Sequence, residues 1–262
     1  MWIGGPSAVG KTTVARRLAR RYGLRLYSAD TRTWVHRDRA LAAGSRPART
    51  WESLAPAARW ARPSDELLAM SLHAERGAMA VDDLRTLPSS PLVVGEGTIL
   101  PAWAVSAGVV DRAYAIWLLP TPDFHGRQLA AAGRTGGQLA RSLRVAEVIA
   151  ADATRHRVPV LTLDGSRGLE DVTAAVEAHV GDALARGPRA TSADERRQLL
   201  REINLDVVAQ VHGYYARPWA AGDPDAVARA FVCECGDPAC LQELTVTVAD
   251  AARGPVVSPG HG

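Results

Sequence analysis

Gly5-Pro6-Ser7-Ala8-Val9-Gly10-Lys11-Thr12 has the residue types and order of a phosphate-binding loop, G-x-x-x-x-G-K-[ST]. Each position has a chemical reason. The glycines let the backbone curl so that successive N–H groups point inward at one anion. A helix opening near Lys11 adds unpaired N-terminal donors and the positive end of its dipole. Lys11 is spaced to reach the outer phosphates of a nucleotide, and the Thr12 hydroxyl, with Thr13 beside it, to ligate Mg²⁺. From Lys11 to Tyr22, Val14, Ala15, Leu18, Ala19 and Tyr22 form one stripe, so the spacing predicts an amphipathic helix where the loop requires one.

A second constellation lies near the C-terminus. Cys233, Cys235 and Cys240 bring three thiols into a turn-rich stretch, and His261 supplies a fourth ligand if the tail folds back. C-x-C is tighter than the usual C-x₂₋₄-C pair of structural zinc sites, and the chain has no fourth cysteine. The cluster is therefore either a Cys₃His metal site, with Zn²⁺ as its ion, or a knuckle of unliganded thiols. In a reducing compartment either is favoured over a disulfide framework.

Several elements must position these residues. Met1-Trp2-Ile3 is a short strand ahead of the loop. Leu24–Ser28, Pro91–Gly95, Arg112–Leu119 and Val158–Leu163 are further strand candidates. Between Thr33 and Leu87 the pattern is helical but broken at Pro47, Pro56 and Pro63, and Glu170–Leu184 is another amphipathic helix. Continuous apolar strands separated by helices predict an α/β domain over residues 1–185, with a parallel sheet of about five strands covered by helices. The Arg/Gly/Pro-rich stretch 186–192 reads as a linker, and 193–262 as a helix followed by a small cysteine-containing module. In the helix, Leu199, Leu200, Ile203, Val207 and Val211 form a stripe suited to packing on either domain, a protein partner or a second copy. Glu243–Val248 is strand-like, and the last residues read as a truncated end or a flexible tail.

The complete loop and this order of elements resemble the small P-loop kinases, the group that includes shikimate, gluconate and nucleoside kinases and antibiotic phosphotransferases. The resemblance covers about residues 1–185. It implies ATP as phosphoryl donor, Mg²⁺ as bridging ion and a small-molecule hydroxyl as acceptor. It implies further that Asp30, in Ser28-Ala29-Asp30, orients the acceptor hydroxyl and accepts its proton. Glu96, in Gly95-Glu96-Gly97, assists Thr12 at Mg²⁺. Arg127 and Arg134, with Arg141, lie on a glycine-hinged lid over the transferring phosphate, and Asp164-Gly165-Ser166 marks where adenine rests. Each has a plainer reading: Asp30 as a helix cap, Glu96 as a polar loop residue, the arginines as a solvated helix face. The chain departs from the family in having no run of four apolar residues ending in aspartate; Leu92-Val93-Val94-Gly95-Glu96 stands nearest. The segment around Phe231–Cys240, with Ser258-Pro259-Gly260-His261, resembles a module of actinobacterial proteins and implies no activity.

Composition narrows the alternatives. A formal charge of +3 from 31 basic and 28 acidic residues gives little support for nucleic-acid binding, and basic residues are not interleaved with aromatics. No apolar run is long enough to cross a membrane, and the chain opens without a secretory leader, which predicts a cytoplasmic protein. Lys11 is the only lysine of the N-terminal half. Arg32 reads as an anion contact or a solvated arginine, Asp82 and Asp83 as exposed, and His36 and His125 as polar helix or loop residues. A small-molecule kinase is thus expected. The alternatives are an ATPase or GTPase regulating a partner through the C-terminal module, and a non-catalytic nucleotide-binding scaffold.

Overall fold

Strands that are apolar along their whole length offer no face to water, and this chain sets them side by side between two layers of helices. A computed structural model describes residues 1–261; Gly262, the last residue of the second region, lies outside the described residues. The chain runs β1 (Trp2–Gly4), α1 (Lys11–Tyr22), β2 (Arg25–Ser28), α2 (Thr33–Ala42), α3 (Arg46–Ser53), α4 (Pro56–Trp60), α5 (Ser64–Met70) and α6 (His73–Thr86). It continues through β3 (Val93–Gly97), α7 (Pro101–Ser106), β4 (Ala115–Pro120), α8 (Pro122–Ala131), α9 (Gly136–His156), β5 (Val160–Leu163), α10 (Leu169–His179) and α11 (Gly181–Arg186). The second region holds α12 (Ala193–Tyr215), β6 (Ala228–Val232), β7 (Glu243–Thr247) and α13 (Val248–Arg253).

The first five strands form one parallel sheet in the order β2-β3-β1-β4-β5. The chain leaves β1 toward one flank and β4 toward the other, so a crevice opens at their carboxyl ends. Ile3, Val94 and Leu118 pack under α1 and α10, through Val14, Leu18, Val172 and Val176. On the opposite face Trp2, Tyr27 and Trp117 pack against α6 and α9, through Ala80, Val145 and Ile149. Two glycines make room for these tryptophans. A Cβ on Gly95 would lie 2.5 Å from the Trp2 ring, and one on Gly4 2.1 Å from that of Trp117.

The helical reading of Thr33–Leu87 resolves into α2 to α6, and the expected Glu170–Leu184 helix breaks at Val180 into α10 and α11. The residues read as a linker are pinned to the sheet domain: Leu92 donates to Pro188 O at 2.7 Å and Ala190 to Gly23 O at 2.8 Å. Ser192 and Glu195 then form a reciprocal capping box that starts α12. Its stripe is used within the chain, where Leu200 and Ile203 meet Leu26 and Val232, and Val208 and Val211 meet Phe231. The buried Asn204 pairs with both backbone groups of Val232, fixing the antiparallel β6–β7 hairpin to α12. Among the described residues no helix is long and apolar enough to cross a membrane.

Candidate active site and metal centre

Between β1 and α1 the Gly5–Thr12 loop makes the turns its composition allows. Gly5, Ala8 and Gly10 have φ of 143°, 62° and 82°, all left-handed, which costs least at glycine. A Cβ on Gly5 would also lie 2.5 Å from Leu118 O, so β4 holds the loop at backbone distance. His125 Nε2 donates to Ser7 O at 3.0 Å and ties the loop to α8. No side chain caps α1, which leaves its first N–H groups to whatever lies in the loop.

The α1, β2 and β3 ends bring three charges together. Lys11 Nζ lies 2.7 Å from Asp30 Oδ2 and 3.7 Å from Glu96 Oε2, with Lys11 5% and Glu96 0% exposed. Thr12 Oγ1 donates to Glu96 Oε2 at 3.1 Å, and Ser28 Oγ donates to Glu96 Oε1. Thr98 clamps Asp30, its N–H and its hydroxyl donating to the two carboxylate oxygens at 3.1 Å each. Arg76 of α6 stands 3.8 Å from Asp30 and donates to Ala29 O. Gly97 lets β3 come this close to β2, because a Cβ there would lie 2.7 Å from that of Ala29.

Burial disfavours each of these charges, and its balance against their partners decides the outcome. For Lys11, Asp30 and then Glu96 outweigh burial, and its pKa lies above the usual lysine value. For Asp30, Lys11 and Arg76 outweigh burial and hold the carboxyl far below the usual range. For Glu96, burial prevails over Lys11, and the neighbouring Asp30 charge adds to the upward shift.

Arg76 and Thr98 were missed by the sequence reading; only the position of Thr98, one residue beyond the Gly-Glu-Gly stretch, hinted at its part. Asp83 is not exposed as expected. It accepts from Tyr27 and His36 at 2.9 Å each and pairs with Arg39 at 2.6 Å, while Asp82 is exposed. His36 and His125 lie on helices, α2 and α8, and both are buried. Arg32 is engaged by Asp206 of α12 at 2.9 Å.

Two cavities flank the loop. One, of about 640 Å³, has Ser7, Asp30, Thr98, Arg134 and Arg141 in its wall; the other, of about 280 Å³, has Ala8, Val9, Gly10, Phe124, Asp164 and Gly165. Gly5 and Pro6 are buried behind the loop. Ser166 is exposed and donates to Asp164 Oδ1 from both its N–H and its hydroxyl, at 2.8 and 2.6 Å. Thr13 is exposed and faces a separate cavity beside Leu241 and Gln242. Arg127 is exposed on α8 near Gly165 and does not reach the large cavity that Arg134 lines. The chain turns between α8 and α9 at Gly133 and Gly136, with φ of 69° and 49°.

His73 lines the large cavity and lies 3.1 Å from Thr98 O through Nδ1. Burial, then the charges of Arg76 and Arg141, push it down to about 3. The unfolded chain takes up a proton here below the ordinary histidine value of 6.5, whereas the folded chain does so only near 3, so stability falls as pH drops through that window. His36 is shifted in the same direction by burial. His73→Gln is expected to flatten the acid-side decline of Tm between these values, followed by circular dichroism; an unchanged slope would refute the assignment.

The second constellation also assembles. Ligand atoms of Cys233, Cys235, Cys240 and His261 all lie within 4.8 Å of one another, so the cluster can hold a metal ion. His261 Nδ1 is 3.6 Å from Cys233 Sγ and 3.5 Å from Cys240 Sγ, and Ser258 N–H donates to Cys233 Sγ at 3.3 Å. Arg20, buried at the end of α1, donates to Cys233 O and to Asp237 O, and lies 3.9 Å from Cys235 Sγ. The cluster is thereby fastened to the helix that begins at Lys11. Neither a protein-family model nor a curated protein matches this chain.

Proposed function

We propose that the chain is an ATP-dependent phosphotransferase that moves the γ-phosphoryl group to a hydroxyl of a small molecule. One observation carries this reading. The Gly5–Thr12 loop lies between two cavities, with Ser7 in the wall of the larger and Ala8 to Gly10 in that of the smaller. A donor whose phosphates occupy the loop would keep its base on the Asp164–Gly165 side and present its last phosphate to Asp30 on the other.

The residues fit Mg²⁺ and a nucleotide. Thr12 and Ser28 turn hydroxyls toward the buried Glu96 carboxylate, an oxygen-rich donor set suited to a hard cation. Thr12, with Glu96, would hold Mg²⁺, and the loop N–H groups would hold the phosphates. Bound there, MgATP would supply the γ-phosphoryl group, with the metal offsetting the charge that develops on it. Lys11 would move from Asp30 toward the outer phosphates. Releasing Asp30 from Lys11 raises its proton affinity, and Thr98 keeps its carboxylate aimed while it accepts a hydrogen bond from the acceptor hydroxyl. Because transfer is loose, orientation by Asp30 matters more than its basicity. Arg134, from the large cavity's wall, would stabilise the transferring group.

At the second site we propose Zn²⁺ in a structural role. A tetrahedral zinc with bonds of about 2.3 Å to sulfur and about 2.0 Å to nitrogen has S···N edges of about 3.5 Å. The two observed separations are 3.5 and 3.6 Å. Four protein ligands leave no open position for chemistry.

The test of the kinase reading is ADP release from MgATP with a panel of hydroxylated small molecules. Release that depends on one acceptor class, with stoichiometric product, supports transfer. Equal release without any acceptor points to a regulatory ATPase, and nucleotide binding without release points to a non-catalytic scaffold.

A further inference from the structure

The large cavity has a charge imbalance that the phosphate loop does not use. Its walls carry six arginines and a single carboxylate, Asp30. Near the loop the charges cancel, since Lys11 and Arg76 face Asp30 and Glu96. Deeper in the helical region between β2 and β3, Arg37 meets Glu52 at 3.8 Å, but Arg134 and Arg141 meet no carboxylate among the described residues. Arg141 enters from α9, lies 5.4 Å over the Trp60 ring, and makes its one hydrogen bond within the described chain to Ser71 Oγ at 3.3 Å. Its Nε is buried without a partner, and among the described residues no carboxylate lies within ion-pair distance of it. Arg134 is likewise without a carboxylate, bonding only Gln138 at 3.2 Å. Burial and then the adjoining Arg134 and Arg76 charges pull Arg141 down to about 10, against a smaller opposing effect of Asp30. A guanidinium is the group proteins use to read carboxylates and phosphates in two-point fashion.

The rest of the cavity tells what carries the anion. Arg37 and Arg59 are already occupied, stacking on Trp51 at 4.6 and 4.3 Å, and Arg59 also on Trp219 at 4.2 Å. They stiffen a wall of flat rings, completed from the C-terminal region by Tyr214, Tyr215 and Trp219. A volume of about 640 Å³ suits a molecule with a ring and several substituents.

We propose that this cavity takes a ring-bearing organic anion as acceptor, its carboxylate or phosphate monoester held by Arg141 beside Ser71. The hydroxyl to be phosphorylated would then lie toward Asp30, the cavity's single acidic group. Naming the ligand an acceptor rests on the phosphotransferase reading, but its binding at Arg141 requires neither ATP nor transfer.

The experiment uses fragments on the full-length protein without nucleotide. Benzoate and phenyl phosphate are titrated against their neutral counterparts, benzamide and phenol, by tryptophan fluorescence and calorimetry. Fragments of this size are expected to bind at about 1–10 mM. The anions should bind at least about tenfold more tightly than the neutral compounds, and Arg141→Gln should weaken them by about tenfold or more while Arg141→Lys retains part of the affinity. Inorganic triphosphate, an anion the Gly5–Thr12 loop would take, should not displace benzoate. The preferred anion, benzoate or phenyl phosphate, distinguishes a carboxylate acceptor from a phosphate ester. Equal binding of the neutral compounds, no anion binding in this range, or no effect of Arg141→Gln would each overturn the inference. So would anion binding displaced by inorganic triphosphate but kept in Arg141→Gln, which puts the anion in the loop. An acceptor screen without ADP release would sink the kinase reading while leaving these titrations interpretable.

Discussion

Lys11→Ala is expected to lower phosphoryl transfer by on the order of 10²–10³, the loss typical of one transition-state donor. Two effects must be separated in that variant. In the wild type the ammonium sits 2.7 Å from Asp30 and 3.7 Å from Glu96, with Lys11 and Glu96 buried and the Asp30 side chain 33% exposed. Removing the cation leaves two carboxylates with only Arg76 nearby; breaking a fully buried pair costs about 3–5 kcal/mol, and water at the partly exposed Asp30 reduces the cost here. Glu96, whose pKa burial already raises, would recover part of this by taking up a proton. The variant should therefore melt at lower temperature near neutral pH and regain stability as pH falls toward the Glu96 titration. Transfer should stay low at every pH, because a proton on Glu96 cannot contact the phosphates. Single-turnover transfer and thermal melts across pH separate the two. Undiminished transfer by a folded Lys11→Ala protein would sink the mechanism. Lys11 is also the sole lysine of the chain, so an amine-directed reagent has one side-chain target. MgATP should protect it, as read by mass spectrometry.

Removing the metal is expected to have the largest effect on stability. Structural zinc contributes apparent binding free energies of about 10–16 kcal/mol in small domains, and that energy is folding energy. Metal analysis should find one zinc per chain, lost in Cys240→Ser. Chelation should then loosen the hairpin and α12 first, because Asn204 and Arg201 tie α12 to Val232 and Glu234, on either side of Cys233. Tryptophan fluorescence should change with it, since Trp219 and Tyr214 pack on Trp34. Arg20→Met tests the outer support. Loss of its bonds to Cys233 O and Asp237 O should weaken metal binding by about 10–100-fold with the four ligands intact. A protein that folds identically after chelation would show the thiols to be an unliganded knuckle.

Parts of this were legible in sequence because they are local. A contiguous loop needs only its neighbours to take its shape, and apolar runs between amphipathic ones specify a covered parallel sheet whatever their order. Asp30 and Glu96 stood out because both follow strand residues, and strand ends meet at one edge of a parallel sheet. The arginines were less readable for a physical reason. Spacing of about seven places Arg127, Arg134 and Arg141 on one face only if the helix is continuous. The left-handed turns at Gly133 and Gly136 break it, leaving Arg127 outside the large cavity. Asp83 looked solvent-exposed beside Asp82 because nothing nearby in sequence forecasts that Tyr27, His36 and Arg39 converge on it.

By itself, then, the sequence determined the loop, the helix that opens from it, and the alternation that makes an α/β sheet. The tertiary structure decided which charges meet. Thr98 and Arg76 reach Asp30 from 68 and 46 residues away, and His261 reaches Cys233 from 28. Only packing sets such distances. Whether a buried charge is matched, as at Lys11, or left open to an anion, as at Arg141, depends on groups within a few ångströms in space rather than on neighbours in the chain.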